Sequence, residues 1–200
     1  MKALATLVIF CSFFFFAKGQ NINLPKTACP TYWVDATSVD MGCLWFDFKS
    51  SVYWNYAQDF CQHLNTTSLT RAHLVEVLSL QQQEFLEYKF IEFDVVFGIS
   101  KNWWIGLTDD LTEGRWLWSN SLVPSNYTNW YTGRPTEDIN VNYVGIPYDP
   151  AYEYTWLDLA INNKYNAICQ FFPSINWNTN RLHSLQLHYF TSKLLIFKRS

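Results

Sequence analysis

The chain lacks a CxxC pair, a GxSxG motif and any internal repeat. Beyond its first residues it also lacks an apolar run long enough to span a bilayer. The absence of closely spaced cysteines argues against a structural zinc site. Without GxSxG, or any nucleophile placed beside a base, acyl-transfer chemistry has no visible machinery. Charge is scarce too. Charged residues make up 16% of the chain, and 14 Lys and Arg stand against 17 Asp and Glu, a net charge of -3. That balance argues against nucleic acid as a partner. The histidines His63, His73, His183 and His188 show no metal-ligand spacing along a helix and read as structural or surface groups.

What the chain does contain begins with an export signal. Lys2 is followed by an apolar stretch over residues 3–17, with four phenylalanines at 13–16. Ala17, Lys18 and Gly19 offer small residues at cleavage spacing, so residues 1–19 read as a signal peptide and Gln20 as the mature terminus. A retained anchor is the rival reading, but the run is shorter than the ~20 residues a spanning helix needs. A secreted, extracellular product follows. Cys11 leaves with the signal, and Cys29, Cys43, Cys61 and Cys169 remain, an even number that favours two disulfides without fixing their pairing. Asn65 and Asn126 open glycosylation sequons suited to that compartment.

The remainder divides into a leader at 20–28, one domain at 29–170, and a basic tail at 171–200. Cys29 and Cys43 bracket a hairpin, continued by Leu44, Trp45 and Phe46. A helix fits residues 51–64, where Trp54, Ala57, Cys61 and Leu64 share a face. Residues 72–77 alternate as a strand. Ser79 and Gln82 form a capping box that opens a second helix to about Glu92, with Leu86, Phe90 and Phe93 as its stripe. Residues 103–108 read as a buried strand, Thr112, Glu113 and Gly114 as a turn, and Trp116 and Trp118 as one face of the next strand. Closing strands cover residues 156–159 and 167–169. Ahead of them, residues 119–154 hold no sustained period, and a loop that long inside a domain usually carries function. Trp130, Tyr127, Tyr131, Tyr143, Tyr148, Tyr152 and Tyr154 crowd it, either as a contact surface or as its own packing. Trp103, Trp104, Trp116, Trp118 and Trp156 read as core.

Several motifs in order resemble the C-type lectin-like domain. They are WIGL at 104–107, TDDLTEGRWLWSNS at 108–121, Asn129 with Trp130, Gly133 with Pro135, WLD at 156–158 and ICQ at 168–170. The resemblance implies an α+β fold, two helices flanking antiparallel sheets with a long irregular loop. It implies the pairings Cys61–Cys169 and Cys29–Cys43, and a cis peptide bond before Pro135. The family's further bridge in the long loop has no counterpart, and Ile161 sits near one of its positions. That loop is therefore expected to be less constrained.

In sugar-binding members of that family the loop reads EPN or QPD, whose first and third residues give oxygens to calcium and to sugar hydroxyls, and the Asn and Asp of WND complete the shell. Calcium takes 6–8 oxygens at once. Here the stretch is TGRPTED, residues 132–138, and the triplet is Arg134, Pro135 and Thr136. Arg134 has only donors and repels a cation. The later acidic position falls at Val141 or Asn142, and Leu157 replaces the Asn of WND, so Asp158 alone survives. Neither a cofactor nor calcium is therefore expected at the usual site. A rearranged cation site would draw on Glu137, Asp138 and Asp158, with Asn140, Asp149 or Glu153 joining. Against it stands the reading of Glu137 and Asp138 as solvated loop charges, one paired with Arg134.

The functional expectation is non-catalytic recognition of a carbohydrate or extracellular protein, in host defence or adhesion. Its surface residues are Trp130, Tyr131, Arg134, Thr136, Glu137, Asp138, Asn142 and Asp158. The alternatives are calcium-dependent sugar binding through a rearranged loop and, remotely, a hydrolase using Glu137 or Asp138 with Asp158. The tail contains no Asp or Glu, and Leu187, Phe190, Leu194 and Phe197 fall on one helical stripe beside Arg181, Lys193, Lys198 and Arg199. Such a stripe suits an anionic membrane surface; the rival readings are a disordered extension and, given the abrupt compositional change after Gln170, read-through sequence in place of the true C-terminus.

Overall fold

The computed structural model of the chain describes residues 29–64 and 71–173. The signal peptide, the leader, the Asn65 sequon, His183, His188 and the tail stripe lie outside the described residues.

The N-terminal hairpin forms as its cysteines suggest. Strands β1 (Val34–Asp35) and β2 (Cys43–Phe46) pair antiparallel, and Cys29 is bonded to Cys43. Between them Asp35 accepts from the Thr37 N–H at 3.0 Å and the Thr37 hydroxyl at 2.6 Å, which starts the 3-10 turn Thr37–Val39. Gly42 closes the hairpin at φ +66°, where an added Cβ would collide with the Phe171 carbonyl.

Helix α1 (Trp54–His63) buries Trp54, Ala57 and Cys61, the expected face. It starts three residues later than the periodicity suggests, because Val52 is held extended by paired bonds with Tyr165, at 2.9 and 3.1 Å. Cys61 is bonded to Cys169 across 108 residues of sequence. Closing a loop of that size contributes about 4–5 kcal/mol in the chain-entropy account.

The expected strand at 72–77 shortens to β3 (His73–Leu74). Val75 and Val77 are still buried, but the next N–H, that of Glu76, goes to the Gln170 side chain at 3.0 Å and leaves the ladder. Helix α2 (Leu80–Phe97) has Ser79 as its N-cap, accepting from the Gln82 N–H at 3.3 Å. Gln82 reaches back one residue further than a capping box requires, to the Leu78 N–H at 2.7 Å, and its amide donates to Val39 and Asp40. The helix continues past Glu92 to Phe97. Its stop is Gly98 at φ +63°, whose N–H closes on the Asp94 carbonyl. The glycine is the terminating signal, and the end of the apolar stripe at Phe93 is not.

The remaining strands are β4 (Trp103–Thr108), β5 (Leu117–Trp118), β6 (Tyr143–Ile146), β7 (Leu157–Leu159) and β8 (Asn166–Phe171). The sheet order is β1-β2-β8-β4-β6-β7, with β3 on β8 and β5 on β4. Pairs are antiparallel except β4 and β8, which run parallel, so the sheet is mixed. Strand β8 extends through Phe171, which is 1% exposed and pairs with Cys43, so the domain passes the expected boundary at Gln170. Trp103, Trp104, Trp118 and Trp156 are buried as read from the sequence, whereas Trp116, read as core, is half-buried and lies outside β5, in which Leu117 and Trp118 are both buried. The β6–β7 pairing sets Val144 opposite Asp158 at the end of the sheet beneath the long loop.

Candidate functional site

Trp156 sews the long loop to the sheet. Its N–H donates to the Asn129 carbonyl at 2.8 Å, and its carbonyl accepts from the Tyr131 N–H at 3.0 Å. The Arg134 N–H then returns to the Tyr131 carbonyl at 2.9 Å, in a turn that Gly133 permits at φ +83°. The Arg134–Pro135 peptide bond is cis. This path carries the Arg134 side chain back over β7.

There the guanidinium meets Asp158. Arg134 Nη1 donates to Asp158 Oδ1 at 2.9 Å and to the Asp158 carbonyl at 3.3 Å. Thr136 donates to Asp158 Oδ2 twice, from its N–H at 2.7 Å and its hydroxyl at 2.5 Å. The Asp158 side chain is 0% exposed and that of Arg134 is 33% exposed. Both carboxylate oxygens are thus taken by fixed donors, one of them a permanent cation. Arg134 therefore pairs with Asp158 and with neither Glu137 nor Asp138, correcting the sequence expectation. The nearer carboxylates lose because the turn at Gly133 and Pro135 aims the guanidinium at β7.

A calcium ion does not fit this position. Its shell needs the oxygens that Arg134 and Thr136 already hold, and Leu157 offers none. The rearranged shell does not assemble either. Glu137 and Asp138 are exposed, and Asp138 Oδ1 accepts from the Asn140 N–H at 3.0 Å and side-chain amide at 2.8 Å. Those bonds hold the Asp138 carboxyl below its ordinary 3.8. Asp149 caps the 3-10 turn Pro150–Tyr152, and Glu153 ends it. Asn142 lies beside Asp109, whose N–H donates to the Asn142 carbonyl at 3.3 Å. Among the described residues, no three of His, Cys, Asp and Glu are grouped to hold a metal ion. Asp158, the acid common to both hydrolase pairs, is engaged by Arg134 at 2.9 Å.

Most loop aromatics pack inward. Trp130 lies 4.9 Å from Trp116 and 5.8 Å from Trp156, centroid to centroid. Tyr127 packs on Trp156, Tyr154 on Phe90 and Tyr143 on Trp54. These contacts fasten a loop that carries no disulfide. Tyr131 and Tyr152, 4.9 Å apart and half-buried, form the aromatic pair beside the Arg134 turn. Asn126 is exposed, as glycosylation requires.

Sequence reading missed two acids here, Asp109 and Glu113. Asp109 is 3% exposed, and its Oδ2 accepts from the Gly114 N–H at 2.9 Å while Oδ1 has no hydrogen-bond partner. Burial raises its carboxyl above the ordinary 3.8, and the charges of Asp158 and Asp110 add to that. Glu113 is raised as well, by desolvation and then by the field of Asp109, Asp138, Glu137 and Asp158. The signal was in the sequence: residues 108–114 carry three acids. The turn reading explained them too readily.

A raised carboxyl in the folded state disfavours the charged form, so the folded state gains stability as pH falls through that raised value toward 3.8. The stability of the wild-type chain relative to Asp109→Asn should therefore rise on acidification from neutral pH. Paired urea titrations at pH 7 and pH 4.5 check this, and a difference independent of pH would contradict it.

Comparison with known proteins places this geometry. The family described as Lectin C-type domain matches residues 50–171. Echinoidin from Heliocidaris crassispina is 28% identical over 152 residues, covering 71% of this chain and 95% of echinoidin. Asialoglycoprotein receptor 2 from Homo sapiens is 32% identical over 111 residues, 55% of this chain but only 29% of the receptor. Among solved structures, the C-type lectin CEL-I from Cucumaria echinata superposes with a TM-score of 0.60 at 24% identity, over 73% of this chain and 99% of that one. The last likeness carries the fold alone.

Proposed function

The chain belongs to the C-type lectin domain family, and we propose that it is a secreted, non-catalytic recognition protein whose long-loop surface takes a ligand without a calcium ion at the family position. The observation that carries this reading is the Arg134–Asp158 contact at 2.9 Å, in which a guanidinium fills the place a cation would need. A glycan is the favoured ligand, because the family is described as a lectin domain and one relative is a receptor named for asialoglycoproteins. Tyr131 supplies a flat half-buried ring, the exposed edge of Arg134 supplies donors, and Glu137 and Asp138 supply acceptors. Together these groups can match the apolar face and the hydroxyl rim of a sugar. Among the described residues no helix is long and apolar enough to cross a membrane.

The test is a glycan array probed with the mature protein in calcium and in EGTA. Binding that is equal in both, and lost in Tyr131→Ala with Glu137→Ala, supports the proposal. Binding abolished by EGTA refutes calcium independence. An array that stays blank in both buffers moves the search to extracellular proteins.

One observation favours the calcium-dependent rival. Asp109 Oδ1 and Asn142 Oδ1 are buried without hydrogen-bond partners on adjoining segments. A calcium-dependent rise in melting temperature that Asp109→Asn abolishes would place an ion there, apart from Arg134.

A further inference from the structure

Helix α2 is apolar on two sides. Leu86, Phe90 and Phe93 face the core. On the outer side Tyr88, Ile91 and Val95 fall at i, i+3 and i+7 and are 63%, 49% and 76% exposed. Surface helices normally carry polar residues there. Beside this stripe lies a cleft of about 450 Å³ lined by Glu87, Ile91, Tyr148, Asp149, Glu153 and Tyr154. Its charged lining is wholly acidic. The sole base of α2, Lys89, is held by Glu92 at 2.7 Å. The surface is thus an apolar row flanked by carboxylates, well away from the Arg134 turn in sequence.

We propose that residues 174–200 of the same chain cover this surface. Leu187, Phe190, Leu194 and Phe197 would lie on Tyr88, Ile91 and Val95, and the basic residues Arg181, Lys193, Lys198 and Arg199 would meet Glu87, Asp149 and Glu153. Three observations carry this. The apolar spacings match, at i, i+3 and i+7 in both segments. The charges are complementary, since the tail has no Asp or Glu and the cleft lining has no Lys or Arg. The chain also leaves the domain on the right side. Phe171 and Phe172 pass Gly42, next to the 3-10 turn whose Val39 and Asp40 carbonyls accept from Gln82 at the start of α2. From Gln82 to Ile91 is about 14 Å along the helix axis, and residues 174–186 span up to ~43 Å when extended.

The experiment is limited trypsin digestion of the full secreted chain, reading cleavage after Arg181 and Lys193 by intact mass. A docked tail is cut only from its open state, so the rate follows the open population. Cleavage should be about tenfold slower in the wild type than in Ile91→Asp with Val95→Asp, and than in Glu87→Lys with Glu153→Lys. Ile91, Val95 and Glu153 are exposed, while Glu87 is half-buried and accepts from the Gln83 amide at 2.8 Å, so circular dichroism and intact mass are used to check that both variants keep the fold and both disulfides. Freed tails should also bind vesicles of mixed phosphatidylcholine and phosphatidylserine more than the wild type does. Equal cleavage rates in all three proteins would overturn the proposal. So would equal vesicle binding, which would assign the tail to lipid. Protection that disappears on hundredfold dilution would assign the tail to a second copy and overturn docking within one chain.

Discussion

Arg134→Ala should lower folding stability by about 3 kcal/mol, the low end of the range for breaking a buried ion pair by removing one partner. The low end applies because the Arg134 side chain is 33% exposed while that of Asp158 is 0% exposed. Removing the guanidinium leaves a sealed carboxylate with only the two Thr136 donors, and with Asp109 as a charged neighbour. The reverse change, Asp158→Asn, should cost less. An asparagine oxygen still accepts from Thr136, and a partly exposed guanidinium can turn to water. The asymmetry is the informative part. Urea titration of both variants measures it, and equal losses would mean that burial of Asp158 is not the source. Millimolar calcium should not rescue Arg134→Ala, since the alanine adds no oxygen and Leu157 and Thr136 remain as they are.

This pair also marks the limit of what the sequence could say. Ordered motifs carried the fold: strand β4 falls on Trp103–Thr108 as read, and both cystine pairings follow the family resemblance. Local physics was legible where one element decides the outcome, as in the Trp54, Ala57 and Cys61 face or the Ser79 cap. It failed where a distant segment intervenes. Val52 cannot enter α1 because Tyr165 holds it, and Glu76 leaves the strand for Gln170. The departure of residues 134–136 and 157 from the family's calcium motif was readable residue by residue. The partner of Arg134 was not, because Glu137 and Asp138 are closer in sequence than Asp158, 24 residues on. Only the turn at Gly133 and the backbone bridge from Trp130 to Trp156 decide between them. The loop aromatics show the same limit. Composition gathers them, but only contacts with Trp116, Trp156, Phe90 and Trp54 separate packing from surface.

If one guanidinium is what stands between this backbone and a calcium shell, then restoring oxygens should restore the ion. The variant Arg134→Glu, Thr136→Asn, Leu157→Asn returns the loop triplet and the WND position to the pattern of sugar-binding relatives, and it frees Asp158 Oδ1 from the guanidinium and Oδ2 from the Thr136 hydroxyl, leaving only the backbone N–H of residue 136 on Oδ2. Without calcium it should be less stable than Arg134→Ala. It faces two carboxylates toward each other, and it places an amide at position 157, where Leu157 is 6% exposed. A buried amide without a partner costs roughly 1–3 kcal/mol. With calcium at a hundred times its dissociation constant, binding to the folded state alone returns about 2.7 kcal/mol. In a domain of this size that is a rise of ~5–10 °C in melting temperature. The wild type should show no shift from this position. Scanning both proteins in calcium and in EGTA decides the matter. A rise confined to the triple variant would mean that β7 and the cis Arg134–Pro135 turn still present the family geometry, and that Arg134 substitutes for the ion within it. If the variant stays flat while Arg134→Ala shows its full loss, the guanidinium is structural, but the surrounding backbone no longer aims four residues at one point. Calcium would then have been lost in the backbone as well as in the side chains.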